Sequence, residues 1–354
     1  MVTYIIRRLL LVPVLLFGVT ILIFGMLQFL TPVERSALYV RDIPKTERQV
    51  DGIILKYGLD KPIYIQYWRW LVGTIDPVTG ERTGGILFGD FGWSRTGSQP
   101  VAELISTRFP NTLDLTLWAV APVILVGIWL GVQAAVHHNG FIDQAGRIFS
   151  IVGTSFPTFV FGLLMLMVFY ANLQWFPPGR LSTDMQAVVS SDSFKTYTSL
   201  LTIDSLLNGR FDVFLDALRH MILPILTLSY INWATFLRVT RSSMLETLRQ
   251  EYVTTARAKG LPERDVVYKH ARPNAMISVI TLAGFTVVGL MGGVVITETV
   301  FDYPGIGKAA AEAAGQLDVV TVLGFALFNG LILIVANLVV DILYATVDPR
   351  VRLS

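Results

Sequence analysis

Six stretches of this 354-residue chain run for 17 residues or more without a charged side chain: Leu9–Leu30, Leu115–Val136, Ile148–Leu173, Met221–Leu237, Met276–Thr297 and Val319–Val340. Crossing about 30 Å of hydrocarbon takes about 20 helical residues, and a helix satisfies its own backbone hydrogen bonds there. The chain is 53% hydrophobic and 15% charged with a mean hydropathy of +0.58, too apolar for a soluble domain of this length. The expectation is an all-α integral membrane protein with six transmembrane helices. Met221–Leu237 is the shortest run, and Tyr230 and Trp233 suit an interfacial anchor for it. Arg7 and Arg8 precede the first run as they would in a signal peptide. That run exceeds the usual apolar region of about 7–15 residues and no small-x-small site follows, so the sequence predicts an uncleaved first span.

Lys and Arg in the short loops set the orientation. With the N-terminus inside, thirteen fall on inner segments, among them Arg147, Arg238, Arg241, Arg249, Arg257, Lys259, Arg264, Lys269, Arg272, Arg350 and Arg352, against five on short outer segments. Both termini are therefore expected in the cytoplasm. A net charge of +2 gives no footprint for nucleic acid, and the absence of cysteine excludes disulfides and thiolate chemistry. No run carries Lys, Arg, Asp or Glu at its middle; Asp114 and Asp341 lie near run ends and Glu298 follows the fifth run. This disfavours a proton- or sodium-coupled carrier, which places ionisable groups or broken helices at mid-membrane. Gly284, Gly289, Gly292, Gly293, Pro122 and Pro157 interrupt the runs and read first as close packing and tolerated kinks.

About 80 residues separate the first two runs. Within them "ILKYGLDKPIYIQYWRWLVG" predicts a short interfacial helix, and "DPVTGERTGGILFGDFGWSRTG" predicts turns and hairpin. Between runs three and four, a Ser/Thr/Asp-rich loop is expected to lead into one or two short outer helices.

The segment "EYVTTARAKGLPERDVVYKHARPNA", Glu251–Ala275, sits between two apolar runs and demands a separate explanation. Leu245, Leu248, Tyr252 and Thr255 or Ala256 recur at helical spacing, which predicts an amphipathic extension of the fourth span to Lys259. Gly260 stands where a left-handed residue would end it, Pro262 suits the first turn of a second helix, and Pro273 with Asn274 would stop that helix. A solvated basic loop explains the charge but not the corner. A DNA-reading helix-turn-helix fits the corner superficially, yet a segment pinned at both ends beside a bilayer cannot enter a major groove. The remaining reading is a docking lever whose small residues Ala256, Ala258 and Gly260 let a partner's backbone approach.

At these residues the loop resembles the Glu-Ala-Ala motif of binding-protein-dependent ABC importer permeases, in which the triplet precedes a Gly by three residues and a Pro follows thirteen after that Gly. Ala256, Gly260 and Pro273 match; Thr254 and Thr255 replace the first two triplet residues, and His270 and Arg272 replace the apolar pair before the proline. "TARAKGLPERDVVYKHARPNA" is instead similar to the form used by the oligopeptide, dipeptide and nickel permeases. "YIIRRLLLVPVLLFGVTILIF", "GDFGWSRTGSQPVAELISTRFPNTLDLTLWA", "SFPTFVFGLLMLMVFY", "LRHMILPILTLS", "ETVFDYPGIG" and "NLVVDILYATVDPRVR" extend the resemblance over most of the chain. Two outer segments depart from it: "DPVTGERTGGILF" resembles an insertion, and "TPVERSA" replaces the usual Gly-Asp-Pro.

The resemblance implies a type I ABC importer permease fold. Residues 1–30 would form the cytoplasmic tip and first helix, 31–110 an extracytoplasmic segment, 111–345 a five-helix transmembrane domain with its cytoplasmic coupling loop at 241–275, and 346–354 a cytoplasmic tail. It implies that Glu251, Thr255, Ala256, Arg257, Ala258, Lys259, Gly260 and Pro273 couple to the ATPase. It also implies a second homologous permease, two ATP-binding subunits, an extracytoplasmic solute-binding protein and a bacterial inner membrane. The chain lacks GxxxxGK[ST], so ATP and Mg are expected on partner subunits, with no cofactor and no catalytic residue here. Peptides stand first as solutes, with nickel chelates and oligosaccharides behind them. The alternative is a secondary transporter or channel without ATPases.

Overall fold

A computed structural model describes residues 2–40, 46–75, 80 and 82–347; the 346–354 tail beyond Val347 and part of the 76–88 insertion lie outside the described residues. Among the described residues, four helices are long and apolar enough to cross a membrane: Ile6–Leu27, Val101–Val136, Glu263–Met291 and Val319–Ile342. The first presents Leu10, Val14 and Leu22 outward, each more than 60% exposed, as a surface made for lipid would.

The third predicted run is not one straight span. Helix Phe141–Ser155 ends at Phe156, which is extended (φ −93°, ψ 120°), and a second helix, Thr158–Met165, passes into a π-helical turn through Asn172. The two halves meet at 102°. Pro157 is the cause, since its ring bars Phe156 from the helical region and it has no N–H to donate. The fifth run is also interrupted. Its helix ends at Met291, and Gly293 takes a positive φ of 95° before the short helix Val295–Val300. The fourth run lies inside a 38-residue helix, Phe211–Leu248, that carries Pro224 within it.

The chain divides into two compact units. In the unit formed by Asn111–Pro304 and Val339–Ser354, the Phe211–Leu248 helix packs against Phe141–Ser155 and Arg272–Met291. Small residues permit close approach: a Cβ at Gly131 would stand 2.5 Å from the Thr240 Cβ, and one at Gly153 2.7 Å from that of Ala234. Buried side-chain hydrogen bonds cross this unit. Thr112 Oγ1 donates to Glu298 Oε1 (2.8 Å), and Thr202 donates to Asp114 through both its N–H and its hydroxyl. The predicted loop before Phe211 holds the helices Thr183–Val189 and Leu201–Leu207.

In the unit formed by Met1–Pro110 and Gly305–Leu338, the predicted interfacial helix is two helices, Glu47–Tyr57 and Ile63–Val72. Gly58 at φ 66° separates them, and a Cβ there would collide with Arg69 Nη1 at 2.4 Å. The all-α expectation needs one amendment. Thr74–Ile75 pairs antiparallel with Arg82–Thr83, and Trp93–Ser94 with Gln99–Pro100, as the Gly- and Thr-rich hairpin signal predicts. The core here is Val101, Leu104, Ile105, Ile306, Ala309 and Phe325.

Candidate coupling site

The segment after Leu248 does not continue the long helix, as its apolar spacing predicts. Arg249 closes the last turn, Gln250 is extended (φ −72°, ψ 149°), and a separate helix runs Glu251–Ala258. Packing overrides periodicity here. Val253 (0% exposed) and Ala256 (6%) turn inward onto Val266 and Ala271, with Leu248 against them, and a straight extension could not bury that pair.

Gly260 ends the short helix with φ 75°, as its position in the sequence requires. Its N–H donates to the Arg257 carbonyl at 2.9 Å, and the Leu261 N–H reaches back to the Ala256 carbonyl at 3.4 Å. Pro262 then precedes the turn Glu263–Asp265. Arg257 spans the corner bidentately, Nε to Glu263 Oε2 at 3.1 Å and Nη2 to Oε1 at 2.7 Å. The corner is thus held by a glycine conformation, a two-pronged ion pair and a dry apolar cluster.

Pro273 does not stop the second helix. The residues Val266–Ala271 widen into a π turn, after which Arg272–Met291 carries on as α-helix through Pro273 and Asn274. The wider turn relieves the clash and the missing N–H that a proline brings to a regular helix. Lys269 Nζ pairs with Asp265 Oδ2 at 2.9 Å along this segment.

Of the residues that the sequence singles out, Glu251, Thr255, Arg257, Ala258, Lys259 and Gly260 are exposed on one short helix and its end. Thr255 Oγ1 donates to the Glu251 carbonyl. Ala256 belongs to the internal cluster, so its side chain is not on the surface that a partner would meet. Pro273 is exposed on the following helix. Among the described residues, no group of three or more His, Asp or Glu is placed to hold a metal ion.

A further cluster has little signature in the sequence, where Arg147 and Arg241 read only as positive loop charges. Asp143, fully buried, accepts from Arg241 Nε and Nη2, from Arg147 Nη2 (3.2 Å) and from the Asn139 N–H (3.0 Å), with His138 Nδ1 at 3.3 Å. It ties the start of the Phe141–Ser155 helix to the part of Phe211–Leu248 that leads to the corner. The Asp143–Arg147 spacing of four was the only local signal.

Comparisons with known proteins agree along the whole length. Residues 123–353 match the family described as binding-protein-dependent transport system inner membrane component, and residues 1–116 match that system's N-terminal membrane component family. The chain is 36% identical to the oligopeptide transport system permease protein AppB of Bacillus subtilis, over 99% of this chain and 100% of the relative. It is 38% identical to the di/tripeptide transport system permease protein DppB of Pseudomonas aeruginosa, over 99% of both. With the probable D,D-dipeptide transport system permease protein DdpB of Escherichia coli it shares 36% identity over 94% of this chain and 93% of that one. Apolar spans and full-length similarity converge on one assignment: the chain belongs to the family of inner membrane components of binding-protein-dependent transport systems.

Proposed function

We propose that this protein is a permease subunit of an ATP-driven importer that takes up peptides, and that the corner Glu251–Gly260 receives the force of partner ATPases. The observation that carries the coupling role is the corner itself, a small exposed helix braced from behind by Val253, Ala256, Val266 and Ala271. An element packed this way moves as a body and can transmit a push to the helices on either side. The relatives' names, which specify oligopeptides and di- or tripeptides, support peptides as the solute.

In this reading six membrane crossings, counting the bent Phe141–Asn172 pair as one and Phe211–Leu248 as another, leave both termini in the cytoplasm. A second homologous permease completes the pathway, two ATP-binding subunits bind ATP and Mg, and a binding protein delivers solute from outside. Closure of the ATPase pair shifts the permeases between inward- and outward-facing states, which is alternating access driven by a partner's chemistry. Glu251, Thr255, Arg257, Ala258, Lys259 and Gly260 form the contact face, while Ala256 and Pro273 shape it. Uptake of a labelled dipeptide by cells carrying the complete system tests this. Deletion of the ATPase genes is expected to abolish uptake, and persistence of uptake would favour a secondary carrier instead.

A further inference from the structure

The unit formed by Met1–Pro110 and Gly305–Leu338 holds a partly open cavity of about 350 Å³. Tyr39, Tyr57, Trp70 and Trp93 supply its aromatic wall, and Arg35, Arg69 and Asp90 its charges. Arg35 is only 7% exposed, and among the described residues no carboxylate pairs with it. Its Nη1 donates to Gln28 Oε1 at 2.7 Å and to Gln66 Oε1 at 2.6 Å, whereas its Nε is buried without any partner. Gln66 cannot be turned to help, because its Nε2 is committed to the Leu59 and Lys61 carbonyls. Gln28 Nε2, on the amide that already accepts from Arg35, is also buried without a partner. A buried cation hydrogen-bonded only to neutral acceptors, with two orphaned donors beside it, is an incomplete arrangement that an anion would complete.

We propose that this cavity binds a short peptide or amino acid, its carboxylate on Arg35 and its apolar side chain against the aromatic wall. A guanidinium edge matches a carboxylate with two parallel hydrogen bonds. Asp90, exposed and engaged through Oδ1 by the Gly92 N–H at 3.0 Å, favours a ligand that also carries an ammonium over a multiply charged phosphate. The volume is at the low end for small-molecule sites, which suits one or two residues of peptide. The identity of the ligand rests on the peptide-uptake reading; its charge chemistry rests on the cavity alone.

Equilibrium binding of Ala-Phe, its C-terminal amide and inorganic phosphate to the full chain in lipid nanodiscs tests the assignment, with labelled Ala-Phe uptake by the complete system measured alongside. Ala-Phe is expected to bind, the amide to bind about tenfold or more weakly, and phosphate not to compete. Arg35→Gln should lose the preference for the carboxylate, and Arg35→Lys should recover part of it. Leu323→Trp, a bulkier side chain at another residue of the cavity lining, should also abolish binding while the protein melts as the native chain does. Equal binding of peptide and amide, competition by phosphate, or native binding by Arg35→Gln and Leu323→Trp would overturn the proposal. Uptake of Ala-Phe with no binding to the native chain would overturn it as well and leave the peptide-uptake reading intact. Amide-sensitive binding with no peptide uptake would sustain the cavity's chemistry and refute that reading.

Discussion

Gly260 and Ala256 act on the same corner through different physics, and substitutions separate them. Nothing lies within 4 Å of a Cβ built at Gly260, so a side chain there meets no neighbour and costs only what its positive φ imposes, about 1 kcal/mol for Ala and more for a β-branched residue. Uptake is expected to fall in the order Gly, Asn, Ala, Val, because Asn tolerates the left-handed region. Equal rates for Asn and Val would mean that the conformation is immaterial. Ala256→Glu places a charge in the cluster of Val253, Val266 and Ala271, and it should destabilise the corner and expose it to protease. Ala258→Glu sits on the exposed face and should leave protease resistance unchanged while uptake is lost. At this scale the sequence was legible where one residue's chemistry decides, as for Gly260 followed by Pro262. It was not legible where burial decides: the inward turn of Ala256 depends on Val266 and Ala271, which helical spacing in the preceding segment does not reveal.

Elements in this chain are joined by carboxylates that stop them as well as by apolar packing. Asp318 stands before the helix Val319–Val347 and is 3% exposed. Its Oδ2 accepts from the Arg95 N–H (2.8 Å), the Thr96 N–H (3.0 Å), Ser94 Oγ (3.2 Å) and Thr321 Oγ1 (2.7 Å). Burial works to raise its pKa, but the hydrogen bonds from Thr321, Thr96 and Arg95 outweigh it and hold the carboxyl below its ordinary value. A depressed folded value means that the contribution to stability is fully present above the unfolded value of about 4 and is lost as pH falls through the folded one. Asp318→Asn, which turns an NH₂ toward donors or leaves them unmet, should cost about 1–3 kcal/mol at neutral pH. The loss measured by thermal melting should shrink below pH 4; a pH-independent loss would assign it to packing. Breaks between elements were only partly readable beforehand. Pro157 was visible as an interruption, yet its 102° bend exceeds the kink a membrane helix commonly tolerates. Pro273 looked like a terminator because a π turn upstream, which absorbs it, has no sequence signature.

For the molecule as a whole, the apolar runs and the bias of Lys and Arg predict the number and direction of crossings. Alkaline phosphatase fusions, active only outside, are expected to be active after Gly92 and Asn208 and inactive after His138 and Lys259. Activity after Lys259 would put the corner on the wrong side of the membrane for any ATPase. Membrane class and family were legible from run length and quoted motifs alone. The cavity beside Arg35 was not, since it depends on residues 28, 35 and 66 meeting in space and on a wall contributed from beyond residue 319.

The coupling role of Glu251–Gly260 is tested most directly by crosslinking, because the chain has no native cysteine. Ala258→Cys in the assembled transporter should form an adduct with the ATP-binding subunit, with a yield that changes on adding ATP, while Ala256→Cys, buried in the corner's own cluster, should react little. No adduct from Ala258→Cys or Thr255→Cys, in a complex that still imports peptide at the native rate, would contradict the coupling role and reduce the segment to a solvated basic loop.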